Sequence, residues 1–247
     1  MKKNNCLINR KRAALMGSLF ITLLPIVVLA DDCAYEQQLN FTLPSAAVRT
    51  VDISAGSGSL KVYSTPTAKE VSVNARLCAK RERNLEGMGV DHVMQADTLH
   101  LWTRIPDSHS GFWSRGYASI DLEVQLPEGM AANVTDGSGE LSISGTGDLQ
   151  VVDGSGTLDI FAIAGSVTVD DGSGSMSIED VRGDVSVDDG SGDIDIARIG
   201  GSVTLRDGSG SINVREVQQE VSILEDGSGS VNIDREMRYS SASANLE

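Results

Sequence analysis

The sequence predicts an all-β protein: a right-handed parallel β-helix, or solenoid, with coils of about 18 residues, preceded by irregular N-terminal coils and a cap. Three observations predict it. The tetrapeptide Asp-Gly-Ser-Gly occurs six times, beginning at Asp136, Asp153, Asp171, Asp189, Asp207 and Asp226, at intervals of 17, 18, 18, 18 and 19 residues. Self-similarity at a short fixed period marks a solenoid. Behind each copy, aliphatic residues return in the same columns, while no part of the repeat shows the three-to-four period of a helix.

The first 30 residues carry Lys2, Lys3, Arg10, Lys11 and Arg12, then the apolar stretch from Ala13 to Ala30. A basic opening, an apolar run and small or aliphatic residues at Val28 and Ala30 read as a secretory signal peptide cleaved before Asp31. An uncleaved membrane anchor is the alternative, but the run is short for a span and holds Pro25. Asp31 and Asp32 ahead of Cys33 do not suit a lipidated cysteine. Of the three cysteines, Cys6 belongs to this segment. Cys33 and Cys78 remain as an even pair, and in an oxidising compartment they are expected to form a disulfide; two free buried thiols are the alternative.

Residues 31–130 are expected to form divergent N-terminal β coils and capping loops. The stretch from Ala55 to Val73 follows the repeat grammar: Gly-Ser-Gly, then Leu60/Val62, then Val71/Val73. It reads as an early coil. Residues 98–102 and 120–129 alternate like strands, the second ending at Pro127 and Gly129. Residues 79–89 are rich in charge and read as a solvated loop. Phe112, Trp113 and Tyr117 stand in a loop rich in glycine and serine. They suit a cap over the open end of the solenoid, which would otherwise be an unpaired edge, or a binding patch.

Residues 131–238 are expected to form the regular solenoid. After each tetrapeptide comes an apolar pair two residues apart, such as Leu158/Ile160 and Ile194/Ile196; then a lone apolar residue, such as Val181; then a second pair, such as Val185/Val187. A spacing of two puts both members of a pair on one face of a strand. Each unit is thus two short strands and two turns. One unit cannot bury its apolar face alone; stacked units bury it and pair their backbones in parallel ladders. Parallel crossovers are nearly always right-handed, which sets the expected hand. The polar residues from 239 to 247 read as a tail.

In the tetrapeptide, glycine supplies turn conformations and aspartate accepts hydrogen bonds from N–H groups two residues on. A turn is the plain reading. The sharper one follows from stacking: equivalent positions lie about 4.8 Å apart, so Asp136, Asp153, Asp171, Asp189, Asp207 and Asp226 would form a column of like charge. Ca²⁺ takes clustered carboxylate oxygens, which makes the column a candidate metal site. Calcium-binding nonapeptide β-rolls use a related glycine-rich turn, but they place an aspartate two residues after the last glycine, where this chain has Leu141, Leu158, Met176, Ile194, Ile212 and Val231.

The chain holds 20 Lys+Arg against 35 Asp+Glu, a net charge of −15. From Val134 to Met237 there are 21 acids and five arginines. A surface of this sign repels phosphate backbones, so no nucleic-acid partner is expected.

The chain from about Val51 onward resembles the bacterial "putative adhesin" family, a domain of unknown function in exported or membrane-linked proteins. The features that carry the resemblance are the early VDISAGSGSLKV, the mid-chain IDLEVQLPEGMAANV and the alternating DGSGSMSI and GDVSV half-coils. The resemblance implies a single-stranded β-helix and no catalytic residues.

Chemistry outside the column is sparse. His92, His100 and His109 lie in the irregular region with Ser108, but no G-x-S-x-G elbow accompanies them. No phosphate-binding glycine motif is present. Arg182-Gly183-Asp184 spells an integrin-binding tripeptide but falls on a turn shared by the repeats.

The leading expectation is an exported, non-enzymatic, adhesin-like interaction or surface-structural module of a bacterial envelope, periplasmic or at the cell surface. It would have no cofactor and a protein or glycan partner. It would not insert stably in a membrane after signal cleavage, and end-to-end self-association is open to it. The alternatives are a calcium-binding β-roll-like module and a carbohydrate-binding or carbohydrate-active β-helix.

Overall fold

Strict alternation of aliphatic and polar residues forces a strand to bury one face, and the repeat gives every coil two such strands. In the computed structural model, which describes residues 33–106 and 117–234, these strands line up as two long sheets with the aliphatic columns between them. The predicted signal segment 1–30 with Cys6, the residues Ser108, His109, Phe112 and Trp113, and the tail 239–247 lie outside the described residues.

The strands are β1 (Tyr35–Pro44), β2 (Thr50–Ser54), β3 (Leu60–Thr65), β4 (Glu70–Ala79), β5 (Gly89–Gln95), β6 (Thr98–Arg104), β7 (Ala118–Pro127), β8 (Ala131–Asp136), β9 (Gly139–Ser144) and β10 (Leu149–Asp153). They continue with β11 (Gly156–Ile163), β12 (Val167–Asp171), β13 (Gly174–Val181), β14 (Val185–Asp189), β15 (Ile194–Ile199), β16 (Val203–Asp207), β17 (Gly210–Val217), β18 (Val221–Asp226) and β19 (Gly229–Asp234). One sheet runs β1-β4-β7-β3-β9-β11-β13-β15-β17-β19, and the other β18-β16-β14-β12-β10-β8-β2-β6-β5.

From β8 onward each coil is one strand in the second sheet, the Asp-Gly-Ser-Gly turn, one strand in the first sheet, and a corner leading to the next storey. All these pairings are parallel, and equivalent residues sit in register: Val134, Val151, Val169, Val187 and Leu205 on one side, Ile143, Ile160, Ile178, Ile196 and Val214 on the other. All ten are buried. Apolar burial, at about 25 cal/mol per Å², and the inter-coil ladders hold the stack together.

Both glycines of the turn are dictated by this stacking. A Cβ on Gly172 would come 2.7 Å from the carbonyl oxygen of Gly154 one storey up. Gly174 has φ +142, and a Cβ there would overlap the carbonyl of Gly156. The backbone ladder continues through the turn: the Gly172 N–H donates to the Asp153 carbonyl at 2.9 Å, and the Gly174 N–H to the Ser191 carbonyl at 2.9 Å.

The opposite corner is tighter than the sequence suggests. Ala162, Asp180, Arg198 and Glu216, one per storey, have φ of 58, 57, 58 and 55°. Gly145 takes the same place in the first regular coil with φ 75°. Beyond that corner, side chains stitch the storeys: the Ser166 N–H donates to Asp148 Oδ1 at 2.9 Å, and the Ser202 N–H to Asp184 Oδ1 at 2.8 Å.

The N-terminal storeys do not stack in chain order. Strands β2 and β3 form an early coil, but it lies between the coil of β6 and β7 and the coil of β8 and β9. Val71 and Val73, read from the sequence as the second pair of that coil, belong instead to β4, which pairs antiparallel with β7 in the first sheet. The early coil's strand in the second sheet is β2, with Val51 and Ile53 inward. The reason is that β4 continues through Ala75, Leu77 and Ala79, a longer inward face than one storey can use.

Antiparallel strands close this end among the described residues. Strand β1 pairs with β4, and β5 folds back on β6. Phe41 of β1 and His92 of β5 stack with ring centroids 5.3 Å apart, joining the terminal strands of the two sheets. Cys33 and Cys78 form a disulfide with Cα atoms 5.2 Å apart. The charged loop after β4 contains a short 3₁₀ turn at Glu82–Asn84.

Candidate functional site

The parity that buries the aliphatic columns also fixes where the turn aspartates go. Asp136 stands two residues after Val134, Asp153 after Val151, Asp171 after Val169, Asp189 after Val187 and Asp207 after Leu205. Each therefore points to the inside of the coil. All five are 2–3% exposed. They pair in register, Asp136 with Asp153, Asp153 with Asp171, Asp171 with Asp189 and Asp189 with Asp207.

The predicted column is thus an internal file. Asp226 is in register with Asp207 but is exposed. An extra residue, Leu224, enters β18 and shifts its register, which accounts for the 19-residue interval; the register recovers at Asp226, which stands in the last described storey. At the other end the slot is filled by Ala55, two residues after Ile53, and then by Thr103, two residues after Leu101, whose Oγ1 accepts the Gly56 N–H at 3.2 Å. The file holds five buried carboxyls between a methyl group and an exposed sixth.

Turn hydrogen bonds satisfy the file only partly. Oδ1 of Asp171, Asp189 and Asp207 accepts the N–H of Ser173, Ser191 and Ser209 at 3.2, 3.1 and 3.0 Å. Both oxygens of Asp136 and of Asp153, and Oδ2 of Asp189 and of Asp207, are buried without a hydrogen bond of good geometry; the Gly137 N–H faces Asp136, and the Gly154 and Ser155 N–H groups face Asp153, close enough only to offset part of the effect of burial. Burial pushes the Asp136 carboxyl up to about 6, with the neighbouring Asp153 charge adding to it. Burial, with Asp171 and Asp207 above and below, likewise pushes Asp189 up to about 6. Burial also raises Asp153, Asp171 and Asp207. Among the described residues no three His, Cys, Asp or Glu side chains come together in a group that could hold a metal ion. The carboxyls form a line, one per storey, not a cage.

The remaining candidates are scattered. Tyr117 is exposed, and its carbonyl accepts the Lys80 N–H at 3.0 Å. His92 is engaged with Phe41. His100 Nδ1 lies 3.1 Å from Asp52 Oδ2 on the outer face of the second sheet. The Gly183 N–H of the Arg-Gly-Asp tripeptide donates to the Gly165 carbonyl at 3.0 Å, in the corner ladder.

Nothing in the sequence pattern points to a groove, yet one is present. It is open, measures about 1310 Å³ and runs along the corner opposite the Asp-Gly-Ser-Gly turns, lined by Ala162, Asp180, Arg182, Arg198, Glu216 and Glu220 among others. Arg198 Nε donates to Asp180 Oδ1 at 2.6 Å and a second guanidinium N–H bonds Glu179. Arg215 reaches the same Glu179 at 3.4 Å. The 18-residue recurrence of positions 162, 180, 198 and 216 was there to find, but their residue types share no chemistry.

Several solved structures are similar to the chain. A "putative cell adhesion protein" from Clostridium sporogenes ATCC 15579 is 13% identical with a TM-score of 0.45, over 81% of this chain and 99% of that one. A "putative adhesin" from Bacteroides fragilis NCTC 9343 is 10% identical with a TM-score of 0.37, over 82% and 99%. A "putative lipid binding protein" from Parabacteroides distasonis ATCC 8503 is 10% identical with a TM-score of 0.37, over 80% and 97%. No curated protein matches the chain. The description Toastrack DUF4097 matches residues 90–247, more than half of the sequence, and the chain belongs to that family.

Proposed function

We propose that the protein is an exported, non-enzymatic, adhesin-like module of a bacterial envelope, whose outer faces engage a protein or glycan. The observation that carries this reading is the register of the outward side chains. Asn133, Gln150, Thr168, Ser186 and Thr204 form one column on the second sheet, and Ser142, Asp159, Ser177, Asp195 and Asn213 one on the first. Hydrogen-bonding groups repeated at about 4.8 Å suit a partner of repeating chemistry. The Cys33–Cys78 disulfide supports an oxidising compartment, as do the basic and apolar residues at the start of the chain. No helix among the described residues is long and apolar enough to cross a membrane.

The test is binding of the labelled protein to envelope fractions and to a polysaccharide panel, with Thr168→Arg/Thr204→Arg on one face and Ser177→Arg/Asn213→Arg on the other. The expected result is binding without turnover, abolished by one pair and kept by the other. Equal binding by all variants, or turnover of a glycan lost on Asp→Asn substitution, would overturn the reading. The turnover result would favour the carbohydrate-active alternative.

A further inference from the structure

The five buried aspartates form a chemical arrangement that the outer faces do not explain. Five carboxyls stand one per storey inside an aliphatic stack. Six of their oxygens accept no hydrogen bond of good geometry. An ionised carboxylate in such a place is costly unless paired, and a protonated one is not. Among the described residues no cationic side chain pairs with them. The ionisable groups flanking the file face outward: Asp170, Asp188, Arg206 and Glu225 immediately precede members of the column, and Glu140 and Asp193 follow its turns. The inward residues beside the file are aliphatic, and its slot continues as Ala55 at one end and as exposed Asp226 at the other.

We propose that Asp136, Asp153, Asp171, Asp189 and Asp207 form a proton-holding ladder, in which neighbouring carboxyls keep acid protons between the storeys and the turn edge of the solenoid loosens as those protons leave. Two ionised carboxylates in adjacent storeys repel each other. Protonating one of them removes the repulsion and provides an O–H donor for an orphaned oxygen of the next. The raised proton affinities of all five residues agree with this arrangement.

The sign follows from linkage. The native ladder holds protons that the unfolded chain releases once pH exceeds the ordinary aspartate value near 3.8. The ladder's contribution to stability is therefore fully present below about 3.8 and is lost as pH rises through about 6. The module would hold its shape in an acidified envelope and open along the turn edge in an alkaline one.

Two measurements test the ladder. Side-chain carboxyl ¹³C titration of the wild-type protein needs no variant: the five aspartates are expected to titrate above the ordinary aspartate value of 3.8, with Asp136 and Asp189 highest. Urea unfolding at pH 5 is expected to release about two protons per chain from Asp136 and Asp189. Asp189→Asn is expected to remove about one of them. Titration of all five in the ordinary carboxylate range would overturn the proposal. So would a rise in melting temperature at pH 8 on adding Ca²⁺ that Asp153→Asn abolishes, because the file would then hold a cation in place of protons. None of these readouts depends on the proposed binding function.

Discussion

Replacing Gly174 with alanine tests the stacking argument most directly. Gly174 sits at φ +142, a region essentially closed to residues with a Cβ, and its Cβ would overlap the Gly156 carbonyl of the preceding storey. The backbone conformation alone costs about 1–3 kcal/mol. Relieving the overlap means parting two storeys at the turn, where Gly172 N–H to Asp153 O and Gly156 N–H to Ser173 O span 2.9 and 3.1 Å. Each is worth about 1 kcal/mol net, so the expected loss is about 3–5 kcal/mol. Gly129 is the control. It has φ +75, but a Cβ there meets nothing within 4 Å, so Gly129→Ala should lose only about 1–2 kcal/mol. Urea midpoints of the two variants give the comparison. If Gly174→Ala were within about 1 kcal/mol of Gly129→Ala, the close approach of the storeys would not be what requires glycine in the tetrapeptide.

Four further outcomes are expected. Ala162→Gly should raise the melting temperature, because it removes a non-glycine residue from φ 58°; the gain is about 1 kcal/mol at most, offset in part by the greater freedom of glycine in the unfolded chain. Val185→Asp should lower stability by several kcal/mol, since it puts an unpaired charge in a fully aliphatic column; circular dichroism on heating reads this. Asp136→Asn should be neutral near pH 3 and stabilising at pH 8, where the native carboxyl that titrates at about 6 must ionise. The rise from 3.8 to about 6 corresponds to about 3 kcal/mol, read by denaturant titration at the two pH values. Cys33→Ser/Cys78→Ser opens a cross-link over 45 residues and should lower stability by about 2–4 kcal/mol in melts under non-reducing conditions.

The regular storeys were legible because period-two alternation and an 18-residue recurrence coincide: Val185/Val187 and Ile194/Ile196 can face one interior only if the chain winds once per repeat. The inward position of the aspartates was legible too, since Val187 and Asp189 share a parity. Only the paired backbones of the stacked turns show that the slot is enclosed. The N-terminal storeys were not legible. Val71 and Val73 mimic the repeat, but β4 runs on past them, and its partner is set by antiparallel pairing with β7 across some 50 residues of chain. The corner groove was hidden because its lining is set by backbone conformation at Ala162, Asp180, Arg198 and Glu216, four residues with no common side-chain property.

The intercalated early coil has a consequence for how the molecule is completed. Leu60 rests against Leu122 on one side and Leu141 on the other, the second contact closing a separation of 81 residues. A chain emerging from its amino end must therefore leave β2 and β3 flanked on one side only, by β6 and β7, until about Ser144 has appeared. Every later storey needs only some eighteen more residues to dock. Construction begins slowly around a missing neighbour and then proceeds like a zipper, so a polypeptide halted before β9 has no finished floor on which to build.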